Sequence, residues 1–472
     1  MSKLCSDEQR LTLSEELVEA RSQRMNESRG ESGGNAGLRA GAAVTDLTPE
    51  GSVFLFGYPH VPRLSTGVHD RLQCSALYLE GGGGRALFIA NDLIFVGRKL
   101  AGEVRRRIAT ETGVPEEAVM ITATHTHSGP VTVDYVSNAA DPVVPRTDRA
   151  YLRLIGERMV AAAFAAVRAA VPAEAGLAVA RAEGVGTNRH DPAGPADPEV
   201  PVLMVRARSD RRPIACMVAY AMHPTVLHED STLISGDFPH FTRAFLQAGI
   251  LPVDCPVLFH SGASGNQSPR HVARANTFDE ARRLGENLGR AIAAVVPGIA
   301  FSAALPVSAT RRFIDLEPRR FPSPEQAVAA ERAARARFEE LRSAGAARQA
   351  IRTAECDWFG AEETAELSRA ALDGRLAEAL RKCVPAEVQV IAIGPWRFVG
   401  WPGEFFVEYA LEVRRLCPSA FVLTMANGEL QGYIVTPEAA ARGVYEATNA
   451  VFGPENGPRF VDTTLALLEG RG

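Results

Sequence analysis

No two cysteines of this chain form a Cys-x-x-Cys pair, although seven occur among 472 residues. Cys5, Cys74, Cys216, Cys255, Cys356, Cys383 and Cys417 are scattered and odd in number. That distribution argues against a disulfide framework and a thiolate metal cluster, and fits a reduced, intracellular chain. Nowhere do about 18 apolar residues run together, so no transmembrane helix is expected. Residues 1–37 are polar and lack the apolar stretch of a secretory leader, so the expected location is cytoplasmic. An excess of one charge is also missing. Lys plus Arg number 51 against 56 Asp plus Glu, and the net charge of -5 argues against a nucleic-acid partner. Arg105-Arg106-Arg107 reads as a solvated helix face. The four glycines at 81–84 are followed by a strand and by no Lys-Ser/Thr, so they read as a hairpin turn and not a phosphate cradle.

What is present is an ordinary globular composition, 46% hydrophobic, in a chain long enough for one large domain or two smaller ones. Residues 6–25 could form an exposed helix and 26–37 a flexible linker, so the folded body is expected to start near Leu38. Apolar runs predict strands at 38–46, 75–80, 85–92, 117–124, 176–182, 202–208 and 214–220. Helical spacing predicts helices at 98–112, 148–170, 238–248 and 277–295. From 322 to 382 the chain is rich in Ala, Arg and Glu at helical spacing, with Gly345 as a break. This reads as an antiparallel helical insertion, structural in the first instance, that could also cover a site or make a dimer contact. A homo-oligomer is therefore left open. Strand texture resumes at 387–401 and an apolar helix closes the chain near 459–468. The fold class is α/β (mixed), a mixed β-sheet core flanked by helices, with residues 38–472 forming one unit.

Chemistry concentrates where apolar runs end in turns. Thr124-His125-Thr126-His127-Ser128-Gly129-Pro130 follows one such run. On an extended strand, His125 and His127 would project from one face into one volume. Alone, the pair reads equally as two histidines satisfied by hydrogen bonds, since it is half of a zinc site. His223-Pro224-Thr225 leaves His223 at another strand end, because Pro224 disfavours helical geometry before it. In Pro402-Gly403-Glu404-Phe405, Glu404 would open an apolar helix over 405–416, where a carboxylate is favoured. His125, His223 and Glu404 together make a His2Glu set of the catalytic zinc type. The loop Gly262 to Arg270 follows another apolar run and lacks Gly-x-Ser-x-Gly spacing. Asp92, at a strand end, and Asp237, after Ser235-Gly236, could each hold a ligand histidine by its far nitrogen, and Asp237 could instead bind the amine of a substrate; a turn or helix-cap role is open to both. His228, His240, His260 and His271 carry no motif and read as structural.

These segments resemble the N-terminal catalytic domain of the neutral/alkaline, non-lysosomal ceramidase family. That family carries Thr-His-Thr-His-Ser-Gly-Pro, His-Pro-Thr, Gly-Asp-Val-Ser-Pro and Pro-Gly-Glu-Phe motifs and a late pair of tyrosines. The corresponding positions here are 124–130, 223–225, 265–269, 402–405 and Tyr433/Tyr445, in the same order. Arg39 to Pro49 and Gly67-Val68-His69-Asp70 also resemble the family, so the likeness runs over roughly 38–460. It implies zinc held by His125, His223, Glu404 and Tyr433. It places His127, Arg189 and Tyr445 at the substrate carbonyl, and Ser268 either as an orienting group or as a nucleophile. Asn266-Gln267 stand where the family loop has Asp-Val, which removes a negative charge. The chain is expected to lack a signal peptide and the C-terminal β-rich domain of longer members.

The resulting expectation is a zinc-dependent amidohydrolase acting on a small-molecule N-acyl amine or lipid-like substrate, with acyl transfer as the reverse reaction. The alternatives are a metal-independent serine hydrolase centred on Ser268 and a non-catalytic protein that retains the pocket.

Overall fold

The computed structural model describes residues 37–58, 61–139 and 141–471. The expected exposed helix and linker ahead of Leu38 lie outside them, Gly37 excepted. The apolar runs form eight strands: β1 (Arg39–Asp46), β2 (Gln73–Gly81), β3 (Gly84–Asn91), β4 (Val119–Ala123), β5 (Val171–Arg181), β6 (Glu199–Ala207), β7 (Pro213–Tyr220) and β8 (Val257–Ser261). They make one mixed sheet in the order β8-β7-β6-β5-β1-β2-β3-β4. The strands that read as unbroken apolar runs, β4 and β8, are buried at every residue, as expected of strands covered on both faces. Gly82 and Gly83 (φ 61° and 84°) make the tight turn between β2 and β3 that two positive-φ residues favour.

A second sheet is built from β9 (Val307–Ile314), β10 (Ala386–Ile393), β11 (Trp396–Gly400) and β12 (Ala420–Leu423), in that order. It lies against one face of the main sheet, where Leu77, Phe88, Leu203 and Met217 meet Ile391, Phe398 and Phe421. The helices α1 (Arg98–Thr112), α2 (Arg149–Arg168), α3 (Phe238–Gly249) and α4 (Phe278–Val295) cover the other face of the main sheet. The helices α5 (Pro324–Ser343), α6 (Arg348–Asp373), α7 (Arg375–Cys383), α8 (Val407–Leu416) and α9 (Asn456–Leu468) follow. Of these, α7, α8 and α9 cover the outer face of the second sheet. The fold is thus α/β, with two sheets between helical layers. The insertion expected at 322–382 is α5–α7, and the chain turns between α5 and α6 at Gly345 (φ 63°).

Within the two sheets three strand pairs are parallel: β3 with β4, β7 with β8, and β11 with β12. Parallel pairing requires a crossover, and α1, α3 and α8 supply it. Ligand sites in such units lie beyond the carboxyl ends of the strands. Here β4 leads to His125, β7 to His223 and β11 to Glu404.

These ends meet because the main sheet curls until its outermost strands approach each other. Thr122 Oγ1 on β4 and His260 Nδ1 on β8 are 2.7 Å apart. The chain after β12 lies between them: Thr424 N–H donates to Ser261 O (2.8 Å) and Asn427 N–H to Ile121 O (2.7 Å). The Asn427 amide completes the seam, accepting from Ile121 N–H and donating to Gln389 Oε1, each at 2.8 Å. Asn427 also sits at φ 62°, where asparagine is tolerated better than most residues.

Removing that amide strands a buried N–H and a buried carbonyl. Asn427→Ala is expected to cost about 2–4 kcal/mol in chemical denaturation, with Asn427→Gly less affected because it suits the left-handed backbone. Wild-type stability in both variants would show that the seam carries no weight.

Candidate metal centre

The His-x-His pair does not lie on a strand. β4 ends at Ala123, and His125 takes φ 70°, a left-handed conformation that costs a histidine about 1 kcal/mol or more. The expectation of two rings on one strand face is corrected by this kink. The kink converges the rings, with Nε2 of His125 and of His127 3.3 Å apart and the ring planes at 87°. Backbone bonds hold it, Thr124 N–H to Asn91 O (2.8 Å) and His125 N–H to Leu93 O (2.9 Å).

His223 and Glu404 enter from the other two strand ends. Glu404 Oε2 lies 3.0 Å from His223 Nε2 and 3.3 Å from His125 Nε2. All three residues are buried. Glu404 does not open the helix, as the sequence suggested. It sits in a two-residue strand with Phe405, three positions before α8, and pairs in parallel with Tyr433–Ile434. That register sets Tyr433 directly beside Glu404. The Tyr433 ring stacks on His223, with centroids 6.5 Å apart.

The far nitrogens separate the histidines. His125 Nδ1–H donates to Ile94 O (3.0 Å), and His223 Nδ1–H to Ser264 O (2.7 Å) and Gln267 O (3.1 Å). Each bond fixes the tautomer that leaves Nε2 a lone pair, the arrangement usual in metal-ligating histidines. Nδ1 of His127 is buried with no partner among the described residues. Gly57 makes room for that ring: at φ 114° its own Cβ would lie 2.3 Å from His127 Nδ1.

The nitrogens of His125, His127 and His223 all lie within 4.8 Å of one another, a grouping that could hold a metal ion. The set His125, His223 and Glu404 adds a carboxylate to two histidines whose far nitrogens are tied to backbone carbonyls. Donors about 2.0–2.1 Å from a tetrahedral ion stand about 3.3 Å from each other. Glu404 Oε2 stands at about that distance from both nitrogens, and lone-pair-bearing atoms this close repel unless a cation or protons lie among them. Burial works to raise the Glu404 carboxyl, but His125 and His223 outweigh it and hold it well below the usual range. Burial, with His125 and His223 beside it, keeps His127 well below the usual imidazole range, hence neutral.

Asp92 reaches neither His125 nor His223. Its carboxylate takes two bonds from Arg243 and one from Gln73 N–H, while Ile94 O occupies His125 Nδ1. Asp237 caps α3, accepting from Phe238 N–H and Leu227 N–H, and touches neither ligand histidine. Ser268 Oγ accepts from Arg270 N–H (3.3 Å), and among the described residues no imidazole hydrogen-bonds to it.

Arg189 lies 5.4 Å from the Tyr433 ring centroid, and Tyr445 packs edge-on to Tyr433 at 6.3 Å. Sequence reasoning missed what holds Arg189. Glu446 accepts from Arg189 Nε and, at 2.7 Å, from His190 Nε2. Burial raises the Glu446 carboxyl, yet Arg189 and His190 pull it down to about 2. The neighbours of Tyr445 and Arg189 in the chain were the available signal. Arg63 was missed too. It is buried, lies 4.9 Å from the Tyr58 ring centroid, and Nη1 donates to His127 O at 3.0 Å.

Two cavities open from this centre and share His127, Tyr58, Tyr433 and Tyr445 as walls. The smaller, about 470 Å³, also meets Asp141, Glu331, Glu363 and Glu366. The larger, about 1100 Å³, is edged by arginines. Phe359 of α6 lines both, so the helical insertion does cover the site. Among the described residues no helix is long and apolar enough to cross a membrane.

No family model matches the chain. It is 24% identical over 506 residues to the neutral ceramidase of Mycobacterium tuberculosis (strain ATCC 25618 / H37Rv), covering 92% of this chain and 77% of that protein. Neutral ceramidase B of Dictyostelium discoideum is 30% identical over 111 residues, 22% of this chain and 16% of that one. The crystal structure of neutral ceramidase from Pseudomonas aeruginosa superposes with a TM-score of 0.70 at 19% identity, covering 92% of this chain and 75% of that one. A ceramidase complexed with C2 gives the same TM-score, identity and coverage. Over nine-tenths of its length this chain is similar in sequence to a neutral ceramidase and shares the fold of neutral ceramidase structures.

Proposed function

We propose that this chain is a zinc-dependent hydrolase cleaving the carboxamide of an N-acyl amine, with acyl transfer to an amine as the reverse reaction. The observation that carries this reading is the convergence of His125 Nε2, His223 Nε2 and Glu404 Oε2, with both far nitrogens bound to backbone carbonyls. Relatives named ceramidases make an amide-bearing, lipid-like molecule the substrate class to test first. His125, His223, Glu404 and Tyr433 would hold the ion. Zinc in such a site supplies an acidified water and polarises a carbonyl.

The remaining roles belong to groups outside that set. His127 is neutral and its Nε2 faces the centre, 3.3 Å from His125 Nε2, so it can accept a proton during attack on the carbonyl and return it to the departing amine. Arg189 and the Tyr445 hydroxyl would stabilise negative charge growing on the carbonyl oxygen. Ser268 would orient the substrate, its hydroxyl proton being free to donate. Asn266 reinforces the fold at the point where relatives have an acid: its amide donates to Glu408 (2.8 Å) and accepts from Val407 N–H (3.0 Å).

His223→Ala is expected to purify without zinc, whereas His127→Ala keeps zinc and loses about 10²- to 10⁴-fold in kcat. Metal analysis beside turnover of an N-acyl amine panel checks this, and equal metal loss in both would mean the histidines are wrongly divided. Chelation is expected to abolish turnover and Ser268→Ala to spare most of it; the opposite pattern would put the nucleophile on Ser268.

A pH effect follows from Glu446. Its carboxyl is depressed on folding, so the stabilisation is present above the ordinary value of 4.5 and is lost as pH falls towards about 2. A depression of that size corresponds to roughly 3 kcal/mol. Glu446→Gln is expected to lose about that much at neutral pH, with the gap to wild type closing across that acid window in denaturation at stepped pH. A gap that does not change with pH would refute the assignment.

A further inference from the structure

We propose that the larger cavity binds an anion, and that the N-acyl amine cleaved at the centre carries a carboxylate on one arm, recognised by Arg270. This rests on the hydrolase reading above and narrows its substrate class.

The cavity of about 1100 Å³ reaches the centre at His127, His223 and Tyr433. Five arginines line it, Arg189, Arg270, Arg274, Arg348 and Arg352, against four carboxylates, Glu229, Glu355, Asp357 and Glu446. Two of the arginines are matched by carboxylates. Arg189 pairs with Glu446, and Arg352 with Glu229 (3.2 Å) and Glu355 (2.6 Å). Among the described residues, Arg270, Arg274 and Arg348 form no ion pair. Arg274 and Arg348 are exposed at the rim, but Arg270 is partly buried inside it.

Arg270 is held in place without being neutralised. Its Nη2 donates to Gln349 O (3.3 Å) and Thr353 Oγ1 (2.7 Å) on α6. A guanidinium has five N–H donors, so those on Nε and Nη1 remain for a ligand. Burial lowers its pKa, and the like charges of Arg189 and Arg352 add to this against the opposing influence of Cys356 and Glu446. A partly desolvated cation among other cations costs folding energy that an incoming anion recovers. Arg270 is also tied to the reaction centre, since it follows Ser268 by two residues and Gln267, whose carbonyl holds His223, by three.

The smaller cavity is mainly acidic, with Asp141, Glu331, Glu362, Glu363 and Glu366 on its walls beside one arginine, Arg369, which pairs with Glu366. An anionic arm is disfavoured there and favoured beside Arg270. The two cavities thus sort the arms of a substrate by charge. A site for two plain alkyl chains would need neither set.

The test uses purified, metal-loaded protein and two matched substrate sets. One compares monoamides of a dicarboxylic acid with amides of the monocarboxylic acid of equal length. The other compares N-acyl amino acids with N-acyl alkylamines of matched size. In one set the anionic member is expected to win by about tenfold or more in kcat/KM. That preference should shrink with added salt and fall to near unity in Arg270→Gln, chiefly through KM. Circular dichroism checks that the variant is folded. A ratio near one in both sets, or a preference that survives Arg270→Gln, overturns the proposal. If neither set is turned over, the hydrolase reading fails, and calorimetry still decides the anion site. Adipate monoamide should then bind wild type and not Arg270→Gln, with hexanamide binding neither; equal binding of the monoamide to both proteins overturns it.

Discussion

Three acceptor atoms facing one another inside a protein are an electrostatic debt. In this chain they are Nε2 of His125 and His223 and Oε2 of Glu404, all buried, with the carboxylate oxygen 3.3 and 3.0 Å from the two nitrogens. The backbone enforces the arrangement, because Ile94 O, Ser264 O and Gln267 O take the Nδ1 protons and leave lone pairs pointing inward. A cation settles such a set as no rotamer change could. The strained His125, the curled sheet and the Gly262 to Arg270 loop all serve to hold this arrangement.

The architecture reaches it by repeating one device. His125, His223 and Glu404 each follow a strand of a parallel pair, and each of those three pairs is closed by a helix. Two of these units sit at opposite ends of the main sheet and the third in the other sheet, so none could form the centre alone. The seam of Thr424 and Asn427 between β4 and β8 brings them together. Around the centre a second set of groups is held one step back, with Arg63 on the His127 carbonyl and Glu446 on Arg189. The helix α6 completes the walls of both cavities.

Much of the fold was legible because it is local. Apolar runs bounded by Gly, Pro and polar turns marked the main strands, and helical spacing marked α1 to α4 and the insertion with its break at Gly345. The centre was legible only as ordered fragments. The assignment of Tyr433 came from family resemblance, and the structure supplies a local reason for it in the parallel pairing of Glu404 with Tyr433. Asp92 misled because a carboxylate at a strand end beside a histidine motif reads as a histidine partner. Only the fold shows that Arg243, 151 residues away, takes it. The His-x-His pair misled in a different way. Period-two geometry assumes extended backbone, and His125 abandons it at φ 70°.

By itself the sequence determined which residues could take part: two histidine motifs, a Pro-Gly-Glu turn, late tyrosines, and strands long enough to carry them. Residue type and hydrophobic period are properties of short segments, and they survive without a fold. Which nitrogen faces inward, which acid neutralises Arg189, and which arginine is left without one were decided by tertiary structure alone. Those outcomes depend on backbone carbonyls and carboxylates brought from distant parts of the chain, and no local pattern encodes that proximity.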